Sequence, residues 1–308
     1  MAIPMLALLL AGCSNNGEDN AEDAVMVILK KKDPKGVGYW DQVASAIDKE
    51  CAIKGVKAVI RYTGSDADYQ SQINAIDEMK KLNYRFKGIV AVPIYSKGQH
   101  EVEESILEVA EESNIPIVII DTPVSEDESP LKGKYRAYVG TDNEAAGRLL
   151  AQKVNATSDN ILSACSKASN AGHLRYKGFC SVKEETALWE ATEDEAINIV
   201  QKLKDFPNVT DIVYFNGSLS GNEEVLNSLE KDNKSVYTFD VFEPTLQKLI
   251  NGNVIKGILA QQTFEMGKEA VDALFNSHVE SPIYINPIYI TKDNLESDDV
   301  KPFLDFFK

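Results

Sequence analysis

Histidine is scarce in this chain: three in 308 residues, at 100, 173 and 278, too far apart to suggest a metal site. Cysteine is nearly as scarce, and no two of the four have zinc-ligand spacing. Basic charge is the third shortage. Thirty-two Lys and Arg stand against 48 Asp and Glu, a net charge of −16. A surface this acidic repels phosphate backbones, which argues against nucleic acid as a partner. No apolar run has the roughly 18 residues that a bilayer-spanning helix needs. Catalytic signatures are mostly absent. There is no Walker loop, no dinucleotide fingerprint of spaced glycines, no Gly-x-Ser-x-Gly elbow and no His-Glu-x-x-His. An enzyme reading rests on nothing positive.

What is present has ordinary globular composition, 44% hydrophobic and 26% charged, in a length that suits one large or two mid-sized domains. Val25, Val27, Ile28 and Leu29 form a β-branched-rich burst, the composition of a strand buried on both faces. A polar loop, Lys30 to Gly38, follows, and Tyr39 and Trp40 open an amphipathic helix. The same strand–loop–helix unit repeats along the chain. Buried strands are expected at 56–62, 88–93, 115–120, 135–139, 160–164, 186–189, 211–215, 235–239 and 255–260, with helices between them. About ten such units exceed what one sheet usually carries, so the expected fold is α/β, two doubly wound lobes with parallel sheets. A (β/α)₈ barrel is the competing architecture.

At the N-terminus an apolar run, Ile3 to Leu10, ends in Leu9-Leu10-Ala11-Gly12-Cys13. This resembles a bacterial lipobox, which implies a signal peptide over 1–12, lipid on Cys13 and a polar tether over 13–24. Cys51, Cys165 and Cys180 then remain. Cys165 and Cys180 are either a disulfide pair or buried thiols, and spacing alone does not decide.

Polar or aromatic residues recur at the ends of the expected strands: Tyr39, Trp40, Asp121, Trp189, Asn216, Asp240 and Gln261, with Arg175 in the helix after Ala164. In open α/β sheets ligands sit at those carboxyl ends. Aromatic rings cover the apolar faces of a sugar, while Asp, Asn, Gln and Arg exchange hydrogen bonds with its hydroxyls. Lys30, Lys31, Lys32 and Lys35 read as a solvated loop, and Asp142 as a helix N-cap.

In order and spacing, Gly140-Thr-Asp-Asn143 with Gly147, Arg175-Tyr-Lys-Gly-Phe179, Thr238-Phe-Asp240 and Ala260-Gln261 make residues 25–291 similar to type I periplasmic binding proteins, the ribose- and galactose-binding group in particular. The resemblance implies two lobes joined by three hinge crossings, near 140–143, 261–263 and 278–284. One lobe would hold 25–141 with 262–279, the other 142–261 with 280–308. It also implies roles. Tyr39 and Trp40 match the aromatic pair after the first strand. Asp121, Arg175, Asn216, Asp240 and Gln261 match hydroxyl-binding positions, and Trp189 the stacking aromatic of the second lobe. Two departures stand out: Thr122 follows Asp121 where ribose binders carry an arginine, and Gly217 rather than an acid follows Asn216.

The implied protein is a non-enzymatic receptor outside the cytoplasm, anchored to the bacterial membrane through Cys13. It would need no cofactor or metal, and would capture a monosaccharide and deliver it to the permease of an ABC importer. The same module sensing a sugar or an autoinducer-2-like signal and feeding a sensor kinase or chemoreceptor is the alternative. An exported carbohydrate-active α/β enzyme using Asp121 and Asp240 is the remote one. Related repressors place a helix-turn-helix where this chain carries its expected signal and tether.

Overall fold

The computed structural model describes residues 21–65, 68–94, 100–124, 129–167 and 169–308. Cys13 and the expected signal peptide lie outside the described residues.

Strand β1 (Glu22–Lys31) shows why this sequence folds as it does. Ala24 to Leu29 are fully buried, and alternate side chains enter different cores. Val25, Val27 and Leu29 pack with helix α1 (Tyr39–Ile53), while Ala24, Met26 and Ile28 pack with α2 (Tyr69–Lys80) and α3 (Glu101–Ser113). An apolar strand covered by helices on both faces pairs in parallel with its neighbours, and β2 (Lys57–Thr63) and β3 (Tyr84–Ala91) flank it so. Strands β4 (Ile117–Ile120) and β5 (Ala137–Gly140) extend the sheet.

The chain then leaves through α4 (Asn143–Lys153) and builds a second sheet from β6 (Ile161–Ser166), β7 (Ala187–Ala191), β8 (Asp211–Tyr214), β9 (Ser235–Phe239) and β10 (Ile255–Ala260). Its connecting helices are α5 (Asn170–Lys183), α6 (Glu193–Ala196), α7 (Ile199–Lys202), α8 (Glu223–Lys231) and α9 (Glu243–Asn251). The helix expected between the strands at 186–189 and 211–215 is thus two four-residue pieces and a short 3₁₀ turn.

After β10 the chain returns. Helix α10 (Thr263–Phe275) packs on α1 with backbone nearly touching backbone, since a side chain at Gly267 would press on the Val43 carbonyl. Strand β11 (Ile283–Tyr284) joins the first sheet, β12 (Ile288–Ile290) the second, and α11 (Lys301–Phe306) ends the fold. The two six-stranded sheets have corresponding strand orders, β11-β5-β4-β3-β1-β2 and β12-β10-β9-β8-β6-β7. Among the described residues all strand pairings are parallel except β10 with β12. These are two open sheets, which excludes the barrel.

Three segments therefore pass between the sheets: Gly140–Asn143, Gln261–Thr263 and the stretch from Tyr284 to Ile288. The third runs later than expected. Ile283 and Tyr284 pair with Val139 and Gly140, so a boundary at 280 would cut a strand from the first sheet. The alternatives for cysteine also resolve: Cys51, Cys165 and Cys180 are free thiols. Burial pushes the Cys51 and Cys165 thiols up to about 12, which makes them inert at neutral pH.

Candidate functional site

The first lobe contributes a network centred on Asp121. Directly after β4 its backbone turns left-handed, φ 60°, a conformation that Asp tolerates better than most residues. The Tyr138 hydroxyl donates to its carbonyl at 2.7 Å and so fixes the turn. The carboxylate accepts the Tyr39 hydroxyl at 2.7 Å and the Thr122 hydroxyl at 2.8 Å. Lys30, at the end of β1, donates to the same Thr122 oxygen at 3.2 Å and lies 5.9 Å from the Trp40 ring centre.

The adjacent aromatics divide their tasks. Tyr39 and Trp40 meet edge to face, 4.9 Å between centres. Trp40 is buried and packs with Val43, Ile47 and Met266 in the first-lobe core. Tyr39 sends its hydroxyl to the acidic cluster. Burial, then the charges of Asp121 and Asp240, hold its phenol well above the ordinary range, so it stays a neutral donor.

The second lobe mirrors this arrangement. Asp240 directly follows β9, again left-handed with φ 61°. Its carboxylate accepts the Gln261 amide at 2.8 Å and stands 3.8 Å from the Arg175 guanidinium. Burial raises its pKa, the Arg175 charge and the Gln261 bond oppose that shift, and the Asp121 charge adds to it. Arg175 is itself 3% exposed. It donates from Nε to Asn143 at 2.7 Å and from Nη1 to the Phe215 carbonyl at 2.9 Å, and lies 4.3 Å from the Phe239 ring centre. Helix packing puts it there. A side chain at Gly147 in α4 would collide with the Arg175 carbonyl, and one at Gly178 in α5 with the Glu144 carbonyl. Only glycine lets α4 and α5 cross this closely.

Gln42 joins the two halves. Its Oε1 accepts the Thr263 hydroxyl at 2.8 Å, and its Nε2 donates to the Val241 carbonyl at 3.3 Å. Tyr39, Asp121, Arg175, Asp240 and Gln261 thus form one electrostatically coupled cluster between the sheets.

Two expected residues do less or stand elsewhere. Asn216 accepts the Ser166 N–H at 2.9 Å and donates to the Ser169 hydroxyl at 2.7 Å, tying loops of its own lobe together. Trp189 is not brought to the Arg175–Asp240 cluster. Burial keeps alternating through Glu190 to Ala191, so the strand ends two residues beyond Trp189. Trp189 packs instead on the second-lobe core and lines an outer groove of about 290 Å³ with Lys167, Glu195 and Lys202.

Sequence reasoning missed Gln42, Asn143 and Lys30. Gln42 was findable: it sits three residues beyond Tyr39 on the same helix face, a polar residue at a core position. Asn143 and Lys30 gave no such signal, because their roles depend on Arg175 and Thr122 arriving from distant parts of the chain. The four lysines of the first loop are likewise not simply solvated. Each has its own partner, Lys31 reaching Glu193, Lys32 the Tyr62 ring and Lys35 Glu243.

Residues 32–277 match the family described as periplasmic binding protein domain. The D-allose-binding periplasmic protein of Escherichia coli (strain K12) is 24% identical over 250 residues, 74% of this chain and 77% of that protein. Among solved structures, a carbohydrate transporter solute binding protein from Agrobacterium radiobacter in complex with D-arabinose is similar with a TM-score of 0.73. It is 21% identical, over 92% of this chain and 99% of that one. An ABC transporter, LacI family transcriptional regulator from Brachyspira murdochii gives 0.69 at 20% identity, over 91% and 98%. At such identities these structures speak for the fold. The family match covers most of the chain, β2 to β5 of the first sheet and β6 to β10 of the second, and the chain belongs to the periplasmic binding protein family, with the type I arrangement of lobes.

Proposed function

We propose that this protein is a receptor outside the cytoplasm that captures a monosaccharide between its lobes and presents it to the permease of an ABC importer. The observation that carries this reading is the pair Asp121 and Asp240, one from each lobe, in a single cluster with Tyr39, Arg175 and Gln261. A sugar presents vicinal hydroxyls, each both donor and acceptor, and this set offers carboxylate acceptors beside cationic and amide donors. Lys30 places an ammonium at Thr122, where ribose binders carry arginine, and so supplies a donor that the substitution removes. Trp40 lies behind this side of the site, in the core beneath Tyr39 and Lys30. The D-allose-binding relative and the D-arabinose complex support a pentose or hexose as ligand.

The run Leu9-Leu10-Ala11-Gly12-Cys13 supports a lipid anchor on Cys13, which keeps the receptor beside its permease. Closure on ligand is the signal a permease reads, and a sensor kinase or chemoreceptor reading it instead is the second assignment for the same site. A carbohydrate-active enzyme would use Asp121 and Asp240 as acid and base. Both carboxylates are engaged by neighbouring donors, which favours binding over catalysis.

Tryptophan fluorescence tests the reading, because Trp40 borders the cluster and Trp189 does not. Titration with D-allose, D-arabinose, D-fucose and D-tagatose is expected to change the emission of Trp189→Phe as it does the unmodified protein. The same titration is expected to leave Trp40→Phe silent. A response carried by Trp189 alone would place the ligand elsewhere.

A further inference from the structure

We propose that the lysine-rich first loop is an electrostatic latch across the mouth of the cleft, and that Lys31 and Lys35 set ligand affinity without touching ligand. The loop is a fixed platform. The Asp41 carboxylate accepts backbone N–H groups of Asp33 and Gly38, each at 3.1 Å, and so ties the loop to the start of α1. From this platform two lysines cross to the other lobe. Lys31 lies 3.4 Å from a Glu193 carboxylate oxygen and Lys35 3.4 Å from one of Glu243. The two acids open different second-lobe helices, α6 after β7 and α9 after β9, so the lysines grip two separate loops. Lys30 and Lys32 turn away, to Thr122 and Trp40 and to the Tyr62 ring.

Lys31 and Lys35 belong to one lobe and their partners to the other, so both pairs break when the lobes part. A contact made only in the closed state shifts the open–closed equilibrium and tightens apparent binding by the same factor. All four side chains are substantially exposed, so salt screens the pairs. The effect is modest. Two exposed pairs together amount to roughly a two- to tenfold change in affinity.

The proposal rests on the receptor reading, and a charge-reversal cycle separates the two. The variants are K31E/K35E, E193K/E243K and the fourfold combination, each titrated with D-allose and with the other panel sugars at low and high salt. Either double variant is expected to weaken binding two- to tenfold or more at low salt and to reverse the salt dependence of the unmodified protein, because salt relieves the repulsion of its like-charge pairs. The fourfold variant restores both. Unchanged affinity in the double variants overturns the latch, and so does a loss that the fourfold combination fails to restore. If no sugar binds, the receptor reading falls instead, and small-angle scattering then decides on the latch. A larger radius in the double variants, reversed in the combination, supports it, and identical radii refute it.

Discussion

Asp121 and Asp240 occupy equivalent points of the two lobes. Each is the residue after the fourth strand of its sheet, each is left-handed, with φ 60° and 61°, and each carboxylate accepts a hydrogen bond from its own side of the hinge, from Tyr39 and from Gln261. The corresponding strand orders make the cleft a meeting of two copies of one turn. The copies differ in their cation: a buried Arg175 stands beside Asp240, whereas Lys30 reaches Asp121 only through Thr122.

Those turns make a backbone prediction. Valine at 121 or 240 forces a β-branched residue into the left-handed region, and each substitution is expected to cost about 1–2 kcal/mol more than glycine at the same place. Urea melts of Asp121→Val against Asp121→Gly, and of the Asp240 pair, measure the difference. Equal midpoints would show that the left-handed turns are not what the chain adopts.

Arg175 is the counter-charge of a buried carboxylate. Arg175→Met leaves Asp240 buried beside Asp121 without it, and the expected loss of stability is about 3–5 kcal/mol. Adding Asp240→Asn removes the stranded charge, so the double variant is expected to be more stable than Arg175→Met alone. Chemical denaturation of the three variants checks this. A double variant no better than the single one would mean that Arg175 acts through Asn143 and Phe215 alone.

Gly147→Ala and Gly178→Ala push α4 from α5. Either is expected to cost about 1–3 kcal/mol by overpacking and, because the helix that carries Arg175 must move, to weaken ligand binding as well. Calorimetric titration alongside thermal melts separates the two effects. Lost stability with intact affinity would uncouple the helix crossing from the site.

His173 gives a pH prediction. Its Nδ1 faces the Ser169 carbonyl at 2.8 Å and its Nε2 the Glu190 carboxylate at 2.7 Å, so both nitrogens face acceptors and the doubly protonated ring fits. Partial burial lowers its pKa, but the Glu190 bond and the Ser169 carbonyl outweigh this and raise it above 6.5. Its stabilising contribution is therefore full below about pH 6.5 and fades as pH rises through the higher folded value. NMR titration should place this imidazole above the ordinary histidine value, and Glu190→Gln should bring it down. His173→Gln should flatten the stability profile over that window.

Much of this was readable in the chain, for identifiable reasons. Buried parallel strands announce themselves as apolar bursts, and residues at their carboxyl ends fall at the cleft by topology, which is how Asp121, Asp240 and Gln261 were legible. Gly147 and Gly178 were visible as parts of motifs, although the reason for them, the α4–α5 crossing, is a tertiary fact. Trp189 misled because a strand's end was placed two residues early, and alternation rather than composition marks that end. Tyr39 and Trp40 could be told apart only by packing, since adjacent helix positions face different ways and the sequence does not say which way is in. Lys31 and Lys35 looked like solvent-facing charge because their partners, Glu193 and Glu243, lie more than 150 residues away.

Whether the cleft holds a sugar is decided by a thermal-shift measurement with pentoses, hexoses, deoxysugars and sugar acids, run on the protein and on Asp240→Ala. A sugar at one hundred times its dissociation constant is expected to stabilise the fold by about 2.7 kcal/mol, and the shift should vanish in the variant. If no sugar moves the melt while an amino acid, nucleoside or inorganic anion does, the fold stands and the sugar assignment is contradicted.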